Sequence, residues 1–150
     1  EACKTGILTG NPVVNIKCDL YDGGYHPVDS NEISFKIAAS LAFKAGMEKA
    51  KPILLEPILK MTIVIPNEFV GDVMSNISKH RGLVGEFSVE GENQVITAEI
   101  PQIELSKCVV ELKTLTQAQA DITHEFLRYA EVPREQAEKI IAEYKAAHAN

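Results

Sequence analysis

Apolar and polar residues alternate along residues 14–21, and this alternation predicts a half-buried β-strand. One face of the segment is apolar and the other is polar, which is the period of two that such a strand shows. The residues that follow, Asp22-Gly23-Gly24, accept positive φ at little cost and favour a hairpin turn. We therefore expect a strand that ends in a tight glycine turn carrying Tyr25 and His26.

A well-marked helix is predicted directly after this turn. Asp29 stands three residues before Glu32, a spacing typical of a capping box. Apolar residues then recur at helical spacing on one face, namely Ile33, Ile37, Leu41 and Ala45. The pair Lys51-Pro52 is predicted to end the helix.

The rest of the chain predicts a second unit with the element order βαββαβ and a closing helix. The predicted strands cover residues 58–66, 83–89, 94–100 and 118–129, and the predicted helices cover 66–82 and 105–115, with a last helix from Pro133. A βαββαβ order is that of the ferredoxin-like, split βαβ arrangement. The interpretation is an α+β protein made of two small units.

Charge and cysteine content narrow the function classes. The chain has 150 residues and a net charge of −6, whereas a protein that binds nucleic acid through counterion release carries a basic excess. Three cysteines without a CxxC pair favour a reducing cytosol over a disulfide framework or a zinc site. No catalytic motif and no apolar run of membrane-spanning length is present, so neither an enzymatic role for this chain nor a membrane partner is expected.

Because the first residue is Glu1, we expect a piece of a longer protein.

Long runs of residues then resemble a known family. The runs "YDGGYHPVDSNE", "NEFVGDVMSNISKHRG", "NQVITAEIP" and "EFLRYAEVP" resemble the bacterial elongation factor G family, and the similarity extends over nearly the whole chain. The resemblance implies the second half of domain IV, a partial βαβ-type unit, at residues 1–54. It implies the ferredoxin-like βαββαβ domain V, with a C-terminal helix, at residues 55–150.

The resemblance also implies partners and contact residues. In the family, the matching loop of domain IV reaches the decoding region of the small ribosomal subunit and touches the tRNA–mRNA duplex. The implied contact loop here is Asp22, Gly23, Gly24, Tyr25 and His26. A second contact, with the stalk base of the large subunit, is implied for Ser78, Lys79, His80 and Arg81.

Cofactors and location follow from the same resemblance. GTP and Mg²⁺ are expected in a GTPase domain upstream, with no cofactor, catalytic residue or metal in this chain. The implied function is tRNA–mRNA translocation in the cytoplasm, by the ribosome-binding C-terminal part of a translational GTPase. Neither DNA nor a membrane is an expected partner.

Three departures from the family pattern leave other functions open. His80-Arg81-Gly82 replaces Arg-Arg-Gly, residues 105–113 lack an aromatic-glycine signature, and Thr116–Ala120 replaces a Thr-Gln-Gly-Arg-Ala pattern. A second hypothesis is therefore a diverged, specialised ribosome-binding paralogue for rescue, recycling or stress that does not carry out ordinary translocation. A third is a small-molecule regulatory module, because a ferredoxin-like fold does not by itself define a function.

Overall fold

The computed structural model describes residues 1–149, and their contacts group them into two units. We call Leu55–Glu131 the sheet unit, and we call Glu1–Leu54 together with the segment from Val132 onward the loop unit. In chain order the elements are α1 (Glu32–Lys49), β1 (Leu55–Pro66), α2 (Val70–Lys79), β2 (Leu83–Glu90), β3 (Asn93–Pro101), α3 (Gln102–Leu115), β4 (Asp121–Glu131) and α4 (Arg134–Ala147). None of the helices within residues 1–149 is long and apolar enough to span a membrane.

The sheet unit has the predicted βαββαβ order, and the chain is α+β. Its four strands are antiparallel and lie in the order β2-β3-β1-β4. One face of the central strands β1 and β3 is continuous and apolar because alternate residues point to the same side of a strand. That face packs with buried residues of α2 and α3 into one core, formed by Leu59, Met61, Ile63, Ile65, Val73, Ile77, Ile96, Ala98, Ile100, Cys108, Leu112 and Ala120.

Helices α2 and α3 each end on a residue in the left-handed conformation. Arg81 has φ 60° after α2, and Gln117 has φ 52° after α3, where the next residue, Ala118, is also left-handed. The N–H of Gly82 donates to the carbonyl of Ile77 at 2.8 Å, and the N–H of Arg81 donates to that of Ser78 at 3.2 Å. These two bonds make a Schellman motif at the end of α2. The left-handed residue that ends α2 is thus Arg81 and not the predicted Gly82. Gly82 donates the second N–H of the motif and has no Cβ, which would clash with Ile77.

The strand predicted at residues 14–21 is wrong. This segment has no strand in the structure, and Asn15 takes φ 56°, which breaks an extended backbone. A β-strand requires a neighbour that accepts and donates its backbone hydrogen bonds, and no strand lies anywhere in residues 1–54. The apolar residues of the segment are exposed, with Leu20 at 95%.

The apolar row predicted for α1 is also not buried. Ile33, Ile37 and Leu41 are between 56% and 68% exposed, and only Met47 of this helix is buried. Periodicity identified the helix correctly, but it cannot show whether an apolar face has a neighbour.

The closing helix α4 begins after Pro133, as predicted, and it belongs to the loop unit rather than to the sheet unit. On this helix Ala137, Ile141 and Tyr144 are half-buried, and Ile140 is exposed. Tyr144 lies against Gly10, where an added Cβ would stand 2.5 Å from the tyrosine hydroxyl oxygen. This close approach joins α4 to the N-terminal loop of the same unit.

Candidate functional site

The predicted contact loop, residues 22–26, is exposed and has no regular secondary structure. Tyr25 is 72% exposed, and the neighbouring Tyr21 is 96% exposed. Neither Gly23 nor Gly24 has positive φ, and a Cβ added at either glycine would meet no atom within 4 Å. The N–H of Gly23 donates to the side chain of Asp22 at 2.8 Å. The predicted hairpin turn at these glycines is therefore wrong, because the strands that it would join do not form.

The chain turns at residues 26–30, which follow the predicted turn at residues 22–24. The backbone N–H of His26 donates to the Ser30 hydroxyl at 2.8 Å, and the backbone N–H of Ser30 donates to the His26 carbonyl at 2.9 Å. The Nδ1 atom of His26 lies 3.3 Å from the backbone nitrogen of Val28 and 3.3 Å from Oδ2 of Asp29. His26 is thus fixed by its neighbours, although 65% of its side chain is exposed.

This turn runs directly into the start of α1. Asn31, rather than the predicted Asp29, is the N-cap: its side chain accepts the N–H of Ser34 at 2.9 Å, and the N–H of Asn31 donates to the Ser34 hydroxyl at 2.8 Å. These reciprocal bonds form a capping box with serine in place of glutamate. Asp29 is left outside the helix and close to His26. The capped helix therefore supports the turn that carries His26.

At the second predicted contact, the end of α2, the side chains bind groups of the same sheet unit. Ser78 donates to the Met74 carbonyl at 3.0 Å, and Arg81 forms an ion pair with Glu56. Lys79 Nζ lies 2.8 Å from Glu111 Oε2. The structure brings these residues to one helix end, but Lys79 and Arg81 are matched by carboxylates and do not form a free cationic patch.

His80 is buried between α2 and α3. Its Nδ1 atom lies 3.0 Å from Glu104 Oε2, and its Nε2 atom lies 3.2 Å from Glu111 Oε2 in an orientation too oblique for a hydrogen bond. Asn76 donates to the same Glu111 oxygen at 2.7 Å and accepts from the Cys108 thiol at 3.4 Å. We call Asn76, Lys79, His80, Glu104, Cys108 and Glu111 the helix seam. The seam ties the two helices together.

The seam shifts the acidities of two of its members. The Lys79 ammonium, and then His80, lower the pKa of Glu111 from 4.5 to about 2. Burial, and then the nearby Glu111 and Glu104 carboxylates, raise the pKa of the Cys108 thiol to about 11. Because the thiolate is the nucleophilic form of cysteine, Cys108 is an inert structural residue at neutral pH.

Replacing Glu111 with glutamine is expected to change the acid dependence of stability. The pKa of Glu111 is lowered in the folded state, so its contribution is present above the unfolded value of about 4.5 and is lost as the pH falls towards about 2. We expect wild type to be more stable than Glu111→Gln at pH 7, and the difference in the free energy of unfolding to shrink between pH 4.5 and 2. Denaturant titrations at several pH values measure this.

A matched control for this prediction is Glu90→Gln at the exposed hairpin end. Glu90 forms no side-chain ion pair within residues 1–149. Because no ion pair is lost, its replacement should cost less stability at pH 7 than Glu111→Gln does. A constant difference between wild type and Glu111→Gln from pH 7 to pH 2 would contradict the role assigned to the Lys79 pair.

The sequence predicted contacts at residues 22–26 and at the end of α2, but not the groups that hold these two segments in place. Ser30 and the Asn31–Ser34 cap hold the loop, and Glu104 and Glu111 fill the seam. The spacing Asn-x-x-Ser was a readable signal for the cap. Glu104 and Glu111, seven residues apart on one face of α3, were a signal that a partner helix carries cations.

The chain thus combines an exposed loop beside a capped helix with a unit of ferredoxin-like element order. The family profile described as Elongation factor G C-terminus matches residues 53–140, and the profile described as Elongation factor G, domain IV matches residues 1–51. The chain belongs to the elongation factor G family. Neither matched profile is that of a GTPase domain.

A solved structure agrees with this membership. A crystal structure of a protein from Thermus thermophilus matches with a TM-score of 0.85 and 43% sequence identity. The match covers 97% of this chain and 22% of that chain. The chain therefore spans about a fifth of the length of this relative.

Proposed function

We propose that this chain is a ribosome-binding part of a translation factor that promotes tRNA–mRNA translocation, and that residues 22–26 contact the decoding region. The observation that carries the proposal is the match of residues 1–51 to the domain IV profile, together with the exposed His26 loop inside that match. The intact protein would be a GTPase whose nucleotide and Mg²⁺ lie in a domain outside this chain.

The mechanism that we propose for the loop is mechanical. A loop anchored on the capped helix α1 would occupy the site that a tRNA has left, so that backward movement of the tRNA–mRNA duplex becomes unfavourable. No acid, base or nucleophile is needed for this role. The imidazole of His26 suits an RNA contact because it stacks on bases and forms hydrogen bonds.

The charge distribution supports a local contact rather than a broad electrostatic one. Residues 1–57 carry six Lys and Arg against seven Asp and Glu, a net charge of −1 out of the total of −6. Affinity through many phosphate contacts requires a clustered basic surface. The contact proposed here depends on shape and on a few side chains, with the rest of the affinity supplied elsewhere in the intact factor.

Replacing His26 with alanine in the intact protein is expected to slow translocation by about tenfold, a loss of about 1.4 kcal/mol of transition-state stabilisation. The fold should be unaffected because most of the side chain is exposed. The measurement is a single-turnover translocation assay on pre-translocation ribosomal complexes, with the melting temperature of each variant recorded alongside.

The matched control is His124→Ala, which removes an exposed histidine from β4 of the sheet unit. This variant should translocate at the wild-type rate. If His26→Ala and His124→Ala both keep the wild-type rate, the loop does not have the proposed role.

The helix seam favours a second candidate, a specialised ribosome-binding paralogue for rescue, recycling or stress. His80 stands where the family usually has arginine, and here it is buried against Glu104 instead of reaching outward. A factor with an altered stalk-base contact would bind ribosomes yet translocate slowly on an ordinary elongating complex. The wild-type rate in the same assay separates the two candidates.

A further inference from the structure

The surroundings of His26 determine which ring nitrogen faces a partner. The backbone N–H of Val28 points at Nδ1 and donates to it across 3.3 Å. The Asp29 carboxylate lies at the same 3.3 Å from Nδ1, but it approaches without the alignment of a hydrogen bond. The only directed contact of the ring within residues 1–149 is therefore the one from Val28.

A directed backbone donor fixes the tautomer of a neutral imidazole. The neutral ring carries its proton on one nitrogen and accepts at the other, and a backbone N–H always donates. Nδ1 must then be the acceptor, so the proton lies on Nε2. No group within residues 1–149 hydrogen-bonds Nε2 of His26, which leaves this N–H available to a partner.

Ser30 holds the backbone of His26 in place. Its hydroxyl accepts from the His26 N–H at 2.8 Å, and its own N–H donates to the His26 carbonyl at 2.9 Å. Ser30 directly precedes the helix cap Asn31 but is not itself the cap. It therefore links the position of His26 to α1 without being required for the helix to start.

We propose that Ser30 and the Val28 amide are positioning groups that hold His26 as the Nε2–H tautomer and present that N–H to a hydrogen-bond acceptor of RNA. This inference rests on the proposed function, because it specifies the chemistry of the proposed contact. It assigns a positioning role to Ser30, which lies outside the contact loop of residues 22–26.

The tautomer is tested by NMR on the 150-residue chain labelled with ¹⁵N at histidine. Long-range ¹H–¹⁵N correlations, recorded at a pH where the rings are neutral, give the tautomer of each histidine. The His26→Ala spectrum identifies the His26 signals, and exposed His124 is the internal reference for an unconstrained ring. We expect a higher Nε2–H fraction at His26 than at His124, unchanged by Asp29→Asn and reduced by Ser30→Ala.

The effect on function is tested with Ser30→Ala in the intact protein. Losing the hydroxyl is expected to slow translocation by about threefold to tenfold, the range expected for one hydrogen bond. Ser30→Thr keeps a hydroxyl and should restore the rate to within about twofold of wild type. Ser106→Ala, an exposed serine on α3, should leave the rate unchanged.

The outcomes separate this inference from the function on which it rests. An Nδ1–H tautomer at His26, or a wild-type rate for Ser30→Ala while His26→Ala is slow, overturns the positioning role and leaves the proposed function standing. A wild-type rate for His26→Ala overturns the proposed function and the RNA contact with it. In that case the NMR comparison alone decides whether Ser30 fixes the ring.

Discussion

Replacing Ile63 with alanine is expected to lower the free energy of unfolding of the sheet unit by about 2–5 kcal/mol. Ile63 is fully buried in the middle of β1, between Ile96 on β3 and Ile122 on β4. The substitution removes buried apolar surface and leaves a cavity that a sheet held on both sides cannot close. Folded domains are stable by about 5–15 kcal/mol in total, so much of the stability would be lost.

The measurement must report on the sheet unit alone, because a chain with two units need not unfold in one step. Amide hydrogen exchange of β1 and β3 in increasing denaturant meets this requirement. Ile63→Val is the matched control and should cost about 0.5–1.5 kcal/mol. A loss below about 1 kcal/mol for Ile63→Ala would mean that the core is less tightly packed than described.

Replacing Gly82 with alanine is expected to destabilise the sheet unit by about 1–3 kcal/mol. A Cβ at this position would lie 2.5 Å from Cγ2 and 2.8 Å from the carbonyl oxygen of Ile77. The carbonyl belongs to the helix backbone and already accepts the N–H of Gly82, so relieving the contact would break the Schellman motif. The end of α2, with the seam residues Lys79 and His80, would move with it.

Gly71→Ala is the matched control, since it adds the same methyl group to a glycine of α2 that has open space around it. Alanine favours the helix over glycine by up to about 1 kcal/mol, so this variant should equal or exceed wild type in stability. Thermal unfolding, followed by the helical signal in circular dichroism, compares the two. A Gly82→Ala protein as stable as Gly71→Ala would refute the steric argument.

The order and type of elements in the sheet unit were predictable because each signal was local. Alternation marked the strands, and helical spacing marked α3. The confirmed α+β class and the family membership follow from these and from the quoted runs. Pairing and helix packing in this unit agree with the order of these signals, while α2 ends at Lys79 rather than at residue 82 and β4 begins at Asp121 rather than at residue 118.

The loop unit was predicted less well because its signals depended on neighbours. Alternation at residues 14–21 describes a strand only where another strand pairs with it, and none does within residues 1–149. The Asp29–Glu32 spacing competed with Asn31–Ser34, and the second pair caps the helix because Asn31 and Ser34 exchange both bonds. Which of two adjacent caps is used depends on the backbone entering the helix, which the spacing does not reveal.

The candidate site, too, was predictable from the sequence only in part. The resemblance pointed to His26 and to the end of α2, but not to the partners that define their chemistry. Val28 and Ser30 are close in sequence, yet their role depends on the turn that residues 26–30 adopt. Glu104 and Glu111 are 24 and 31 residues from His80, so only the packing of α3 on α2 brings them to it.

The sequence by itself determined the element order of residues 55–131, the family and the position of the loop, since propensity, periodicity and long identical runs are properties of neighbouring residues. The tertiary structure alone decided that residues 14–21 are not a strand, that the apolar row of α1 is exposed and that the cations Lys79 and Arg81 at the end of α2 pair with carboxylates. Each of these depends on a contact between residues distant in sequence, or on the lack of one among residues 1–149. Burial and charge pairing are set by such contacts.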